Sequence, residues 1–142
     1  MSDYVRKKAV FYPITDKDIK KLGIDDIWDL ESDSRFKELF NRCNPTKNKD
    51  FFEVEGCVDY SGDYESHYYL TYVLYYTYGD KCGDFGTNRF LNTNEQDKYE
   101  IIFKQILPEL DKTKFKYVDF CYYNCSEPDD YYLKQNSIDE EI

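Results

Sequence analysis

Residues 68–78 read Tyr-Tyr-Leu-Thr-Tyr-Val-Leu-Tyr-Tyr-Thr-Tyr, an unbroken aromatic and β-branched run. It carries no polar stripe of helical period and falls well short of the roughly 20 residues that a helix needs to cross a bilayer, so it predicts an interior β-strand. Alternate side chains leave a strand on opposite faces. Tyr68, Leu70, Tyr72, Leu74 and Tyr76 therefore share one side, and Tyr69, Thr71, Val73, Tyr75 and Thr77 the other. Both sides are sticky, and a chain of 142 residues is long enough to build one core around them.

Other elements follow from period and punctuation. Tyr4 to Tyr12 ends in Ala-Val-Phe-Tyr before Pro13 and reads as a first strand, stopped by a residue that donates nothing to a ladder. Thr15 caps a short helix with Ile19 and Leu22 inward and Gly23 as its stop. Ile24, Ile27, Trp28 and Leu30 continue the helical spacing, and a third piece carries Phe36, Leu39, Phe40 and Cys43 up to Asn44-Pro45. From Phe51 the period becomes two, with Phe52, Val54, Val58 and Tyr60 opposite Glu53, Glu55, Cys57 and Asp59, and Gly56 a candidate bulge. Ser61-Gly62-Asp63 then turns this strand into an antiparallel hairpin with the tyrosine strand.

Residues 79–86 form a glycine-rich connection without the Lys-Ser/Thr of a phosphate cradle. Thr93-Asn-Glu-Gln96 matches a capping box, and Tyr99, Ile102, Phe103, Ile106, Leu107 and Leu110 follow at helical spacing until Pro108 kinks or ends the helix. Lys116 to Asn124 alternates once more, with Val118, Phe120 and Tyr122 against Tyr117, Asp119, Cys121 and Tyr123. The order βααββαβ implies an α+β fold: a mainly antiparallel sheet of about four strands with helices packed on one face. Residues 1–133 read as a single acidic domain and 134–142 as a solvated tail.

Charge narrows the function. The net charge is −10, and it is uneven: residues 1–49 hold 11 Lys/Arg against 9 Asp/Glu, whereas residues 50–142 hold 8 against 20. Such a field repels nucleic acid and anionic membranes and attracts basic proteins. With helices over Phe52, Val54, Leu70, Leu74, Val118 and Phe120, the open face is expected to carry Glu53, Glu55, Asp59, Tyr69, Thr71, Tyr75, Tyr117, Asp119 and Tyr123. Same-face residues on a strand lie about 6.7 Å apart, a regular row of charge that a groove built for phosphates can accept. Sixteen tyrosines exceed what solubility asks for, and tyrosine is an interface residue. Alternatively these acids only keep a wet face soluble, or the tyrosines pair two copies in a homodimer.

Evidence for catalysis is thin. His67, the one histidine, lies near Glu65, and no nucleophile signature surrounds any of the five cysteines. Their odd number and irregular spacing predict free, mostly buried thiols rather than disulfides or zinc. Glu127, Asp129 and Asp130 lack the spacing of a calcium loop, and no metal or cofactor is expected. Nothing at the start of the chain reads as an export signal, so a bacterial cytoplasm is the expected setting; residues with AU-rich codons point to an AT-rich bacterial or phage genome.

The expectation is therefore a non-catalytic inhibitor that blocks a basic nucleic-acid-handling protein, such as a nuclease or a CRISPR effector. Its binding residues would be Glu53, Glu55, Asp59, Tyr69, Tyr75, Tyr117, Asp119 and Tyr123, joined by Glu127, Asp129 and Asp130. In size and composition the chain is similar to small acidic phage proteins that block CRISPR or restriction enzymes, and to bacterial immunity proteins that neutralise toxic nucleases. That likeness covers no motif and transfers no residue. The alternatives are a self-associating structural protein and a small-molecule or metal-dependent hydrolytic domain using His67 and nearby acids, with a pocket near His67 and the 79–86 loop.

Overall fold

A computed structural model describes residues 4–43, 46–60, 62, 64–78, 85–123, 128 and 133, with Cys43 described in its backbone alone. The fold is α+β. Strands β1 (Tyr4–Ile14), β2 (Phe51–Val58), β3 (Ser66–Tyr78), β4 (Phe85–Phe90) and β5 (Lys116–Tyr123) form one antiparallel sheet in the order β2-β3-β1-β5-β4. Two α-helices, α1 (Asp16–Lys20) and α2 (Thr93–Phe103), join short 3₁₀ turns over one face. The tyrosine run is the interior strand β3, paired with β2 and β1, as its two apolar sides require.

The sheet has five strands, one more than its alternating patterns reveal. Strand β4 begins at Phe85, inside the stretch that glycine chemistry assigns to a connection, and its sequence Phe-Gly-Thr-Asn-Arg-Phe has no apolar alternation. It is an edge strand held by β5 alone, so half its backbone groups need no partner strand. Strand β1 runs two residues past its expected end and includes Pro13. Its pairing with β5 stops at Phe11, leaving Pro13 in a part of β1 bonded only to β3, where a missing N–H breaks no second ladder.

Local signals at the helix starts are present in the structure. Thr15 caps α1 in a reciprocal box with Asp18, and Gly23 takes a φ of +78° beyond its end. Helix α2 is capped one residue earlier than expected, by Asn92 with Glu95, and it ends at Phe103 rather than running on to Pro108. The pieces between α1 and β2 are 3₁₀ turns at Ile27–Ser32, Lys37–Leu39 and Asn41–Cys43, not α-helices.

Two apolar clusters lie on opposite faces of the sheet. Under the helices, Phe103 is fully buried with its ring centroid 5.1 Å from Phe52 and 4.8 Å from Phe115. Truncating such a ring to alanine costs about 3–5 kcal/mol. The far face holds Val5, Ala9, Phe11, Cys57, Val118, Phe120 and Tyr122, all buried, and Leu133 packs against them. Lys116 donates from Nζ to the Leu133 carbonyl, and Val58 N–H donates to the Pro128 carbonyl at 3.1 Å. The far face is therefore a second core and not an open surface. Residues 134–142 lie outside the described residues.

Register decides which side chains meet. Gly56 forms no bulge, since β2 and β3 pair without a break from Phe51↔Val73 to Val58↔Ser66. The irregularity lies between β1 and β3, where Lys8 faces Tyr75 and Ala9 faces Val73, leaving Leu74 as the extra residue. Beyond that bulge the parity of β3 reverses. Tyr76 then stands on the far face opposite Lys7, and Tyr75 stands beside Lys8 on the helix-bearing side.

Candidate functional site

Glu53 and Glu55 project from β2 to the far face, opposite Thr71 and Tyr69 of β3, as their alternation predicts. The side chain that reaches them was not foreseen. Lys7 comes up from β1, only 3 % exposed, and its Nζ lies 2.8 Å from Glu53 Oε2 and 3.0 Å from Glu55 Oε1. The ammonium also stands 5.2 Å from the Tyr76 ring centroid and 5.6 Å from that of Tyr122, while Tyr122 donates from its hydroxyl to Glu55 at 3.4 Å. Burial alone would lower the Lys7 pKa, but Glu55 and Glu53 carry it well above its ordinary value. Burial raises Glu55 above its ordinary value, and the Lys7 ammonium, which lowers it, does not offset that loss of water with Glu53 close by. Burial likewise raises the phenols of Tyr122 and Tyr76.

The remaining residues of the expected acidic face are scattered. Asp119, Tyr117 and Tyr123 lie on the opposite side of the sheet from Glu53, because β5 meets β1 with Val118 against Ala9 and Asp119 against Lys8. Alternation in a strand groups its residues correctly without saying which group faces which layer. Asp119 is bound by Arg6 through two contacts of 3.3 and 3.1 Å, Tyr117 lies under the Arg89 guanidinium, and Tyr123 stands edge-on to Tyr4. Tyr75, moved by the bulge, lies near Lys8. Tyr69 packs on Phe11, and Thr71 is fully buried. Asp59 is buried in the β2–β3 turn, where its carbonyl accepts from Gly62 and Tyr64 and its carboxylate fills the space a Gly62 side chain would need. A single flank of carboxylates and tyrosines is not what the sheet presents. Glu127, Asp129 and Asp130 lie outside the described residues, as do six more of the twenty acids in residues 50–142: Asp63, Asp80, Asp84, Asp139, Glu140 and Glu141.

An exposed acidic and aromatic surface exists elsewhere, at the end of the sheet where β3 begins. Asp26 caps the 3₁₀ turn Ile27–Ser32, its carboxylate accepting from Trp28 N–H at 2.9 Å. In a 3₁₀ turn residues three apart lie in line, so Ile27 and Leu30 enter the core together and Trp28 is left outside. Trp28 is 45 % exposed and meets Tyr68 edge to face at 5.7 Å. Gly56 makes room beneath both rings: a Cβ there would lie 3.3 Å from Tyr68 and 3.6 Å from Trp28. Asp25, Asp26 and Asp29 flank the indole, and all three are exposed. Asp16 joins Ile27, Tyr68 and His67 around a hollow of about 390 Å³ at this end. Among the described residues Asp16, Asp25 and Asp29 make no ion pair.

Helical spacing had placed Trp28 in an apolar stripe. The signal that separates it from Ile27 and Leu30 is its setting in Asp-Asp-Ile-Trp-Asp, where three acids leave the ring facing water.

His67 stands opposite Cys57 in the β2–β3 register, but Cys57 has no exposed surface and is closed to an external substrate. Cys57 is a free thiol. Cys121 is disulfide-bonded, which corrects the expectation of free thiols throughout; sequence spacing carries no information on which cysteines fold together. No helix among the described residues is long and apolar enough to cross a membrane. Compared with known proteins, the chain matches no family model, no curated protein and no solved structure.

Proposed function

We propose that this chain is a non-catalytic binding protein that docks on a basic nucleic-acid-handling protein through Trp28 and Tyr68, with Asp16, Asp25, Asp26 and Asp29 around them. The observation that carries this reading is a half-exposed tryptophan, fixed against a strand residue and flanked by carboxylates that form no ion pair among the described residues. Tryptophan is the residue type most enriched at binding hot spots, and a ring already held in place loses little freedom on docking. Unpaired acids beside it speed the encounter with a cationic surface and fix its orientation. The setting is inhibition, as phage counter-defence or as immunity to a toxic nuclease. Glu53, Glu55 and Asp119 leave the list of contact residues, since Lys7 and Arg6 already occupy them.

The test uses the immobilised chain and bacterial lysate, with Trp28→Ala and the triple variant Asp25→Asn, Asp26→Asn, Asp29→Asn as paired baits. The wild type should retain a basic nucleic-acid-handling protein that salt releases, and both variants should lose it while keeping the wild-type thermal midpoint. Equal capture by all three baits would sink the proposal. Trp28 is the sole tryptophan, so its emission should also shift to the blue when the purified partner is added.

A further inference from the structure

A second concavity lies on the far face, at the same end of the sheet but on the other side from Trp28. Its volume is about 470 Å³, within the roughly 300–1,000 Å³ of small-molecule sites. Its apolar lining is Phe11 of β1, Tyr69 of β3, Phe90 of β4 and Leu133, so four separate parts of the chain converge on it. Two lysines line the same cleft. Lys116 stands 4.6 Å from the Phe90 ring centroid and donates to the Leu133 carbonyl. Lys114 is exposed and, among the described residues, makes no ion pair. The one carboxylate among the described lining residues, Asp111, is already in use: it accepts from the Thr113 hydroxyl at 2.6 Å and from Thr113 N–H at 3.0 Å.

Among the described residues the lining carries two lysines against one carboxylate, the reverse of the balance in the chain as a whole. In a chain with a net charge of −10, an aromatic hollow bordered by two ammonium groups, with Asp111 turned into a cap, is complementary to an anion with an apolar body. We infer that this cleft binds a small amphipathic monoanion, an aromatic or medium-chain carboxylate, with its apolar body on Phe11, Tyr69 and Phe90 and its head group at Lys114. The cleft is lined by neither Trp28, Tyr68 nor the four aspartates of the docking surface, although the two hollows adjoin across Pro13 and Tyr69. A neutral apolar molecule would leave the Lys114 ammonium without a partner, and a polyanion would meet the general negative field.

The experiment titrates the full chain with anilinonaphthalene sulfonate, itself an aromatic monoanion whose emission rises in apolar surroundings. One equivalent should bind saturably; octanoate should displace it, and octanol should do so at least tenfold less well. Lys114→Glu should weaken the probe at least tenfold with little change in thermal midpoint, because this side chain is exposed and its attraction to the exposed Asp111 is screened by solvent. Phe90→Ala should weaken octanoate and octanol alike, a loss of apolar contact that separates the body of the ligand from its head. Failure to saturate, equal displacement by octanol, or undiminished binding to Lys114→Glu would each overturn the assignment.

Discussion

Two groups of carboxylates in this protein stand beside aromatic rings, and an ammonium separates their fates. Glu53 and Glu55 have Tyr76 and Tyr122 as neighbours, together with the buried Lys7, which takes up both. Asp25, Asp26 and Asp29 have Trp28, are exposed, and among the described residues form no ion pair. The first group is internal structure and the second is surface. Counting acids along a chain gives its total charge, but the charge a partner meets is what remains after the fold has matched each acid to a base.

Removing the cation from the first group gives the largest expected effect. Lys7→Met should cost about 3–5 kcal/mol in urea unfolding, since it leaves two neighbouring carboxylates in a buried place without their cation and with only the Tyr122 hydroxyl, at 3.4 Å from Glu55, as a side-chain donor among the described residues. The triple variant Lys7→Met, Glu53→Gln, Glu55→Gln should recover most of that loss. If Lys7→Met unfolds at the wild-type denaturant midpoint, the cluster is wetter than its geometry shows and the contrast between the two groups collapses. In the second group, Trp28→Ala should cost binding, by roughly 2 kcal/mol or about thirtyfold in affinity for the captured partner, with little change in stability. Replacing Asp25, Asp26 and Asp29 with asparagine should act on the rate of association: at least tenfold slower at low ionic strength, with the difference shrinking as salt is added.

Smaller effects sharpen the same contrast. Thr71, opposite Glu53 in the β2–β3 register, is fully buried and its hydroxyl has no hydrogen-bond partner among the described residues, so Thr71→Val should stabilise the protein by about 1 kcal/mol. A loss on that change would mean that the hydroxyl is satisfied in solution. Glu95 is a surface acid that is nonetheless bound. The Arg89 guanidinium, at 2.8 Å, and the Asn92 N–H lower its pKa to about 2. A carboxylate depressed by folding stabilises above its ordinary value near 4.5 and loses that contribution as the pH falls toward its folded value. Glu95→Gln should therefore cost about 1 kcal/mol at neutral pH, mostly through the helix cap because an exposed ion pair is screened, and should cost nothing near pH 2. A pH-independent loss would assign Glu95 a packing role instead.

Much of the fold was legible before any coordinates. The interior tyrosine strand, the β2–β3 hairpin, the Thr15 cap and the helix beginning near residue 93 all follow from interactions between residues close in the chain. Strand β4 was hidden because an edge strand paired on one side needs no apolar alternation, and Trp28 because a 3₁₀ turn has a different inward stripe from an α-helix. The candidate acidic face failed for a third reason. Val118 and Phe120 were grouped correctly with each other but assigned to the wrong layer, and Lys7 was never matched to acids 46 and 48 residues away.

Composition and local pattern settled that this chain is an acidic α+β protein with its tyrosine strand inside an antiparallel sheet, since those properties depend on side-chain period and on turns a few residues long. Which acids stay free was left to the pairing of distant strands. One bulge at Leu74 and the register of β5 against β1 bring Tyr76 beside Lys7 and send Asp119 to the other side, because a shift of one residue in a strand exchanges its two faces.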